Sequence, residues 1–197
     1  IRVVSPAGVI TAFAGDGTPG DGGDGGDATV AQLRRPHDVV LDGERVLIAD
    51  TFNHRVRLVE DDTIAAIAGN GVLAFGGDGG DATAASLAFP WGMVVHADGS
   101  VHLADTDNNR IRLIDAAGTI STVAGTGVYG GSGDLGQAAA AELSFPTDVF
   151  ELEGGAFLVS ENGGRIRRIA TDGVITTLAG RRDPLGVGPL AQARRDQ

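Results

Sequence analysis

Short apolar runs broken by clusters of glycine, aspartate and asparagine recur along the whole of this 197-residue chain. Residues 39–41, 93–95 and 149–150 are apolar and each run follows a proline, Pro36, Pro90 or Pro146. A turn comes next ("DGER", "ADGS" or "LEGG"), then a second run, "VLIA", "VHLA" or "FLVS". The stretches "DTFNHR" and "DTDNNR" are rich in Asp and Asn, which tolerate left-handed backbone, and so predict tight hairpin turns. Beyond them "RVRLV", "RIRLI" and "RIRRI" alternate arginine with branched apolar residues. That period of two predicts a strand with one face buried and its arginines on the wet face. A fourth strand closes each unit: "VITAFAG" at 9–15, "TIAAIAG" at 63–69, "TISTVAG" at 119–125 and "VITTLAG" at 174–180.

These phrases are copies of one another. The closing glycines Gly15, Gly69, Gly125 and Gly180 are 54, 56 and 55 residues apart. Between them stand the loops "GDGGDATVAQL" (23–33), "GDGGDATAASL" (77–87) and the diverged "GDLGQAAAAEL" (133–143). Several phrases in one order, three times over, mark an internal repeat. Four antiparallel strands per unit, repeated radially, describe an all-β propeller. Residues 1–15 match the last two strands of a blade, and 16–69, 70–125 and 126–180 are three full repeats. Residues 181–197 begin a further repeat or a tail, because "AQARRDQ" mirrors "AQLRRPH". About 3.5 blades are therefore expected, as a segment of a larger propeller, with open ends that favour self-association.

In "ITTLAG", "GDGGDATxAxL", the proline step and "IADTxNxRxRLV", the chain resembles the NHL family in its longer, glycine-rich form. The resemblance covers residues 1–180. It implies a propeller, commonly six-bladed, that serves mostly as a binding platform for a protein, peptide or glycan, on a bacterial secreted or cell-surface protein.

Composition narrows the remaining classes. Glycine contributes 32 residues and aromatics 5%, as a chain of many tight turns requires. The net charge is −11 and all 15 basic residues are arginine. Such a field repels a phosphate backbone, so nucleic acid is disfavoured, including the RNA that some NHL propellers bind. The arginines near the end (Arg181, Arg182, Arg194 and Arg195) form a local basic cluster that does not alter this. No apolar run approaches the roughly 20 residues needed to span a bilayer. With no cysteine, disulfides and thiolate metal sites are excluded.

The candidate chemistry falls into three groups. In the loops, Asp24, Asp78 and Asp134 recur, and Asp27 and Asp81 are matched by Gln137. Asx-turns account for them structurally, with the glycines supplying positive φ. The functional alternative is calcium, and the most acidic copy, with Asp16, Asp21, Asp24 and Asp27, is its best candidate. No EF-hand glutamate closes the loop, and no Gly-Lys-Ser/Thr makes it a phosphate loop. The turn acids Asp50, Asp105 and Glu161 are expected to pair with Arg55, Arg110 and Arg165 of the same hairpin as repeated struts. The third group follows the prolines: His37-Asp38, Trp91-Gly92 and Thr147-Asp148 differ from blade to blade within a fixed frame. In a propeller they would rim the central channel, so His37, Asp38, Trp91, Thr147 and Asp148 are the expected ligand-binding residues. His96 and His102 flank a turn and are placed to meet across it. The competing class is a channel-centred metal-dependent lyase or lactonase using His37, Asp38 and Asp148.

Overall fold

A computed structural model describes residues 1–180 of the chain; the arginine cluster at 181–195 and the expected start of a further repeat lie outside the described residues. Fifteen strands form four antiparallel sheets in chain order. A two-stranded sheet pairs β1 (Arg2–Val4) with β2 (Ile10–Ala12). The second sheet contains β3 (Gly26–Asp27), β4 (Asp38–Asp42), β5 (Arg45–Asp50), β6 (Arg55–Glu60) and β7 (Thr63–Ala68). The third runs from β8 (Pro90–Val95) through β9 (Val101–Asp105) and β10 (Arg110–Ile114) to β11 (Ile120–Ala124). The fourth repeats it with β12 (Pro146–Glu151), β13 (Phe157–Glu161), β14 (Arg165–Ile169) and β15 (Ile175–Ala179). No helix among the described residues is long and apolar enough to cross a membrane.

Successive sheets pack face to face as blades. Leu47, Ala49 and Val56 of the second sheet meet Met93, Leu103, Ile114 and Ile120 of the third. Ala104 and Ile111 on its other face meet Val149, Val159, Ile169 and Ile175 of the fourth. Alternation along each strand thus buries both faces, as stacked sheets require. The "AQL" tails follow suit: Ala31, Ala85, Ala141, Leu87 and Leu143 are fully buried between blades.

The glycine-rich loop is more than a turn. Gly26 and Asp27 pair with Ile64 and Thr63 of β7, and Gly79 and Leu135 donate backbone N–H bonds to Ile120 and Ile175 at the same place in later blades. Each loop therefore lies along the outermost strand of its own repeat and covers an edge that would otherwise offer unpaired backbone. Asp27 and Asp81 then cap the short 3₁₀ turns that follow, each accepting from the backbone N–H and hydroxyl of the threonine two residues on.

Asp24, Asp78 and Asp134 do something the Asx-turn expectation did not include. They hold Arg57, Arg112 and Arg167 at 2.7, 2.7 and 2.8 Å. Those three arginine side chains are completely buried. Each also lies against the turn acid of its own blade: Arg57 against Asp50, Arg112 against Asp105 at 3.1 Å, and Arg167 against Glu161. The expected partners were Arg55, Arg110 and Arg165, and only Arg165 takes that role, bonding Glu161 through Nε at 2.7 Å. Arg55 reaches out to Asp21, and Arg110 lies over the Phe75 ring. The arginine strands keep regular pairing with β5, β9 and β13, and the extra residue of each register shift, Ile67, Val123 or Leu178, lies in the neighbouring outer strand. The arginines are buried because the loop that carries Asp24, Asp78 or Asp134 closes over their face. The buried acids are further held by backbone N–H groups, Asp50 by Arg34 and Asp105 by Ala88, both at 2.7 Å. Burial nevertheless dominates, raising Asp50 and Glu161 above the ordinary carboxylate range and Asp105 to about 6.

Candidate functional site

The strand that opens each blade after its proline lies innermost, and β8 packs between β4 and β12. The residues at the start of these strands therefore converge. His37, Asp38, Trp91, Gly92, Thr147, Asp148 and Ser160 line one cavity of about 330 Å³. All five residues expected from the sequence are in it. Gly92 and Ser160 are additional.

Each lining side chain is positioned by its own strand or the next. His37 stacks on Trp91 with ring centroids 4.7 Å apart and planes 11° apart, and Phe52 extends the stack behind it at 6.0 Å. Nδ1 of His37 lies 3.0 Å from the Arg35 carbonyl, which can only accept, so Nδ1 is the donor of that bond and in this tautomer Nε2 is an acceptor. Both oxygens of Asp38 accept backbone N–H bonds, from Val39 at 2.8 Å and from Met93 of the next blade at 2.9 Å. Asp38 is thus a strut between blades as well as part of the rim. Asp148 sits at the same register position two repeats further on. One of its oxygens accepts from Val149 N–H at 2.8 Å. Partial burial, and secondarily the charge of Asp38, raise the Asp148 carboxyl above its ordinary range. Gly92 occupies this register position in the middle blade because nothing larger fits. A Cβ there would lie 2.7 Å from Asp148 Cα and 2.7 Å from the Thr147 carbonyl. Thr147 and Ser160 hydroxyls bond each other at 2.8 Å.

The other candidates are placed elsewhere. Asp16 accepts from Thr18, Asp21 from Arg55, Asp24 pairs with Arg57 and Asp27 caps at Thr29. The four carboxylates are thus directed at four different protein partners. Among the described residues no three His, Cys, Asp or Glu side chains form a group able to hold a metal ion. His96 and His102 do meet across their turn, with Nε2 and Nδ1 2.5 Å apart, and His96 also contacts Glu151 of the next blade at 2.8 Å. Burial lowers His102 to about 4, so the pair carries at most the charge of His96 near neutral pH.

Comparison with protein families matches residues 33–57 to the NHL repeat and residues 71–130 to the Teneurin NHL domain. The chain belongs to the NHL-repeat family. No curated protein sequence matches it. Solved structures agree on a propeller fold at low identity. Virginiamycin B lyase from Staphylococcus aureus is 17% identical with a TM-score of 0.54, over 90% of this chain and 47% of that one. A streptogramin B lyase structure is 13% identical at 0.56, over 89% and 46%. A putative phosphatase from Bacteroides thetaiotaomicron is 16% identical at 0.57, over 78% and 37%. The chain spans about half the length of these structures or less. At such identity they show the fold alone.

Across the NHL blades, the lining residues the sequence reading omitted had a visible signal. Ser160 stands where the other NHL copies carry Ala49 and Ala104, so "FLVSE" already departed from "VLIAD" and "VHLAD". Gly92 was noted as a variable position, but its reason, the close approach of β12, is a contact between blades that a single strand does not reveal.

Proposed function

We propose that this NHL propeller module is a non-catalytic binding platform whose ligand, a protein, peptide or glycan, engages the mouth of the central channel. One observation carries the reading. Residues that differ between otherwise repeated blades, His37 with Asp38, Trp91 with Gly92 and Thr147 with Asp148, line a single cavity. A scaffold with one divergent rim is the arrangement expected of a binding surface on rigid elements. The lyase or lactonase alternative asks His37, Asp38 and Asp148 to act on a reacting group together. Against it, Nδ1 of His37 is turned to its own backbone and both Asp38 oxygens are taken by strand N–H groups.

The test is an array of peptides and glycans probed with wild type and with Trp91→Ala. Signals lost in the variant support the reading; binding unaffected by W91A, or a turnover abolished by His37→Ala, overturns it. No metal is required, so calcium or a chelator should leave binding and melting temperature unchanged. Nucleic acid is not a partner in this reading, and its location is secreted or at the cell surface, as the family resemblance implies.

Self-association is part of the same proposal. Phe150 and Leu178, 64% and 57% exposed, occupy on the last blade the register positions that Val40 and Ile67 use to pack against the next one. Val4, Ile10 and Leu41 are exposed at the opposite end. A second copy is expected to cover these faces. Light scattering should report a mass above the monomer that falls on Phe150→Asp, and a monomeric wild type would refute the idea.

A further inference from the structure

The rim of the channel is lopsided in its hydrogen-bonding chemistry. Its polar side chains are two carboxylates, Asp38 and Asp148, and the His37 ring, whose Nε2 is an acceptor. The Thr147 and Ser160 hydroxyls are bonded to each other. No arginine lines the cavity. The remaining wall is the pair of stacked rings, His37 and Trp91, whose facing sides cover each other. An anionic ligand needs positive charge, which the lining does not supply, and a sugar needs several donors to match its acceptors, whereas the one uncommitted side-chain donor in the lining is the buried Trp91 Nε1. An organic cation matches both halves of the lining. An ammonium or guanidinium group donates several hydrogen bonds and no group of its own needs a donor in return, and aromatic faces attract it. Among the described residues no donor is bonded to the second oxygen of Asp148, which leaves that atom available. The indole Nε1 of Trp91 is buried without a hydrogen-bond partner. An acceptor carried beside the cation, such as a peptide carbonyl, would supply one after a small ring movement.

Building on the binding-platform reading, we infer that the channel mouth takes the cationic side chain of a peptide, with Asp148 as its carboxylate partner and the His37–Trp91 stack as its wall. Partial burial of the Asp148 carboxyl sharpens the match, since a bound cation offsets the cost of holding that charge out of water.

Trp91 is the only tryptophan of the chain, so its fluorescence reports on this cavity alone. Four probes are titrated into the intact protein: a capped Gly-Arg-Gly peptide, its citrulline isostere, spermidine and a neutral cello-oligosaccharide. The arginine peptide should give a saturable change in Trp91 emission that weakens with added salt, and the citrulline peptide should bind at least about tenfold more weakly. Asp148→Asn keeps an acceptor for Val149 N–H and should remove about the same tenfold. Spermidine binding as tightly as the arginine peptide would replace the peptide with a free polyamine as the source of the cation. If the citrulline peptide or the oligosaccharide binds equally well with Asp148→Asn silent, the cation assignment is wrong while the channel-mouth reading survives. If a probe binds by calorimetry without moving Trp91 emission, the channel-mouth reading itself fails.

Discussion

Replacing Arg112 with methionine is expected to cost about 3–5 kcal/mol of unfolding free energy, read from chemical denaturation. The side chain is fully buried, with Asp105 at 3.1 Å and Asp78 at 2.7 Å. Methionine fills similar space but strands the Asp105 carboxylate, itself fully buried, with only the Ala88 N–H and the Asn108 amide. The loss should depend on pH in a definite direction. Burial lifts Asp105 from 3.8 to about 6. Between those values the folded protein holds a proton that the unfolded chain has released. The contribution of Asp105 is therefore complete below the lower value and disappears as pH rises through the upper one. Without Arg112 the carboxyl moves up further and neutralises more readily. The deficit of R112M should then be smaller at about pH 5 than at about pH 7.5. Asp105→Leu combined with Arg112→Met should cost less than the two single losses added together, because no buried charge is left unpaired. A deficit independent of pH, or strict additivity, would show that the pair does not act as one unit.

Gly77→Val should be a severely damaging loop substitution, at about 4 kcal/mol or more, an amount reserved for strain combined with overpacking. Gly77 has φ +91°, and a Cβ on it would stand 2.6 Å from Cα of Ala85, a fully buried residue. Gly79, two residues along with φ +80°, has open space where its Cβ would go. Valine there should cost only the left-handed backbone penalty of roughly 1–2 kcal/mol. Thermal melts of the two variants separate these causes. Equal losses would mean that the close approach of loop and buried alanine carries no weight.

Much of this was readable in advance, and the exceptions have physical causes. Repeated phrases placed the strands, the order of sheets and the convergence of residues 37–38, 91–92 and 147–148, because each follows from period and position within a unit. Strict alternation put Arg57, Arg112 and Arg167 on the wet face of their strands. That face is instead closed over by a loop 33 or 34 residues earlier, which supplies their second partner. A cover drawn from so far along the chain leaves no periodic trace. The same blindness hid the bond from Met93 N–H to Asp38, which joins residues 55 apart in different blades. At the rim, residue types could be listed from the chain, but the imbalance of acceptors over donors depends on which groups already satisfy one another, and that exists only in three dimensions.

The edge-covering loops also set the order in which the chain can be completed. Loop 23–33 waits for β7, whose Ile64 and Thr63 it pairs with, and nothing it bonds on that strand lies outside residues 16–69. A nascent chain can therefore close one blade, edge included, before the next is synthesised. The span needing to remain open is one repeat long, a contact order set by the period rather than by the size of the ring.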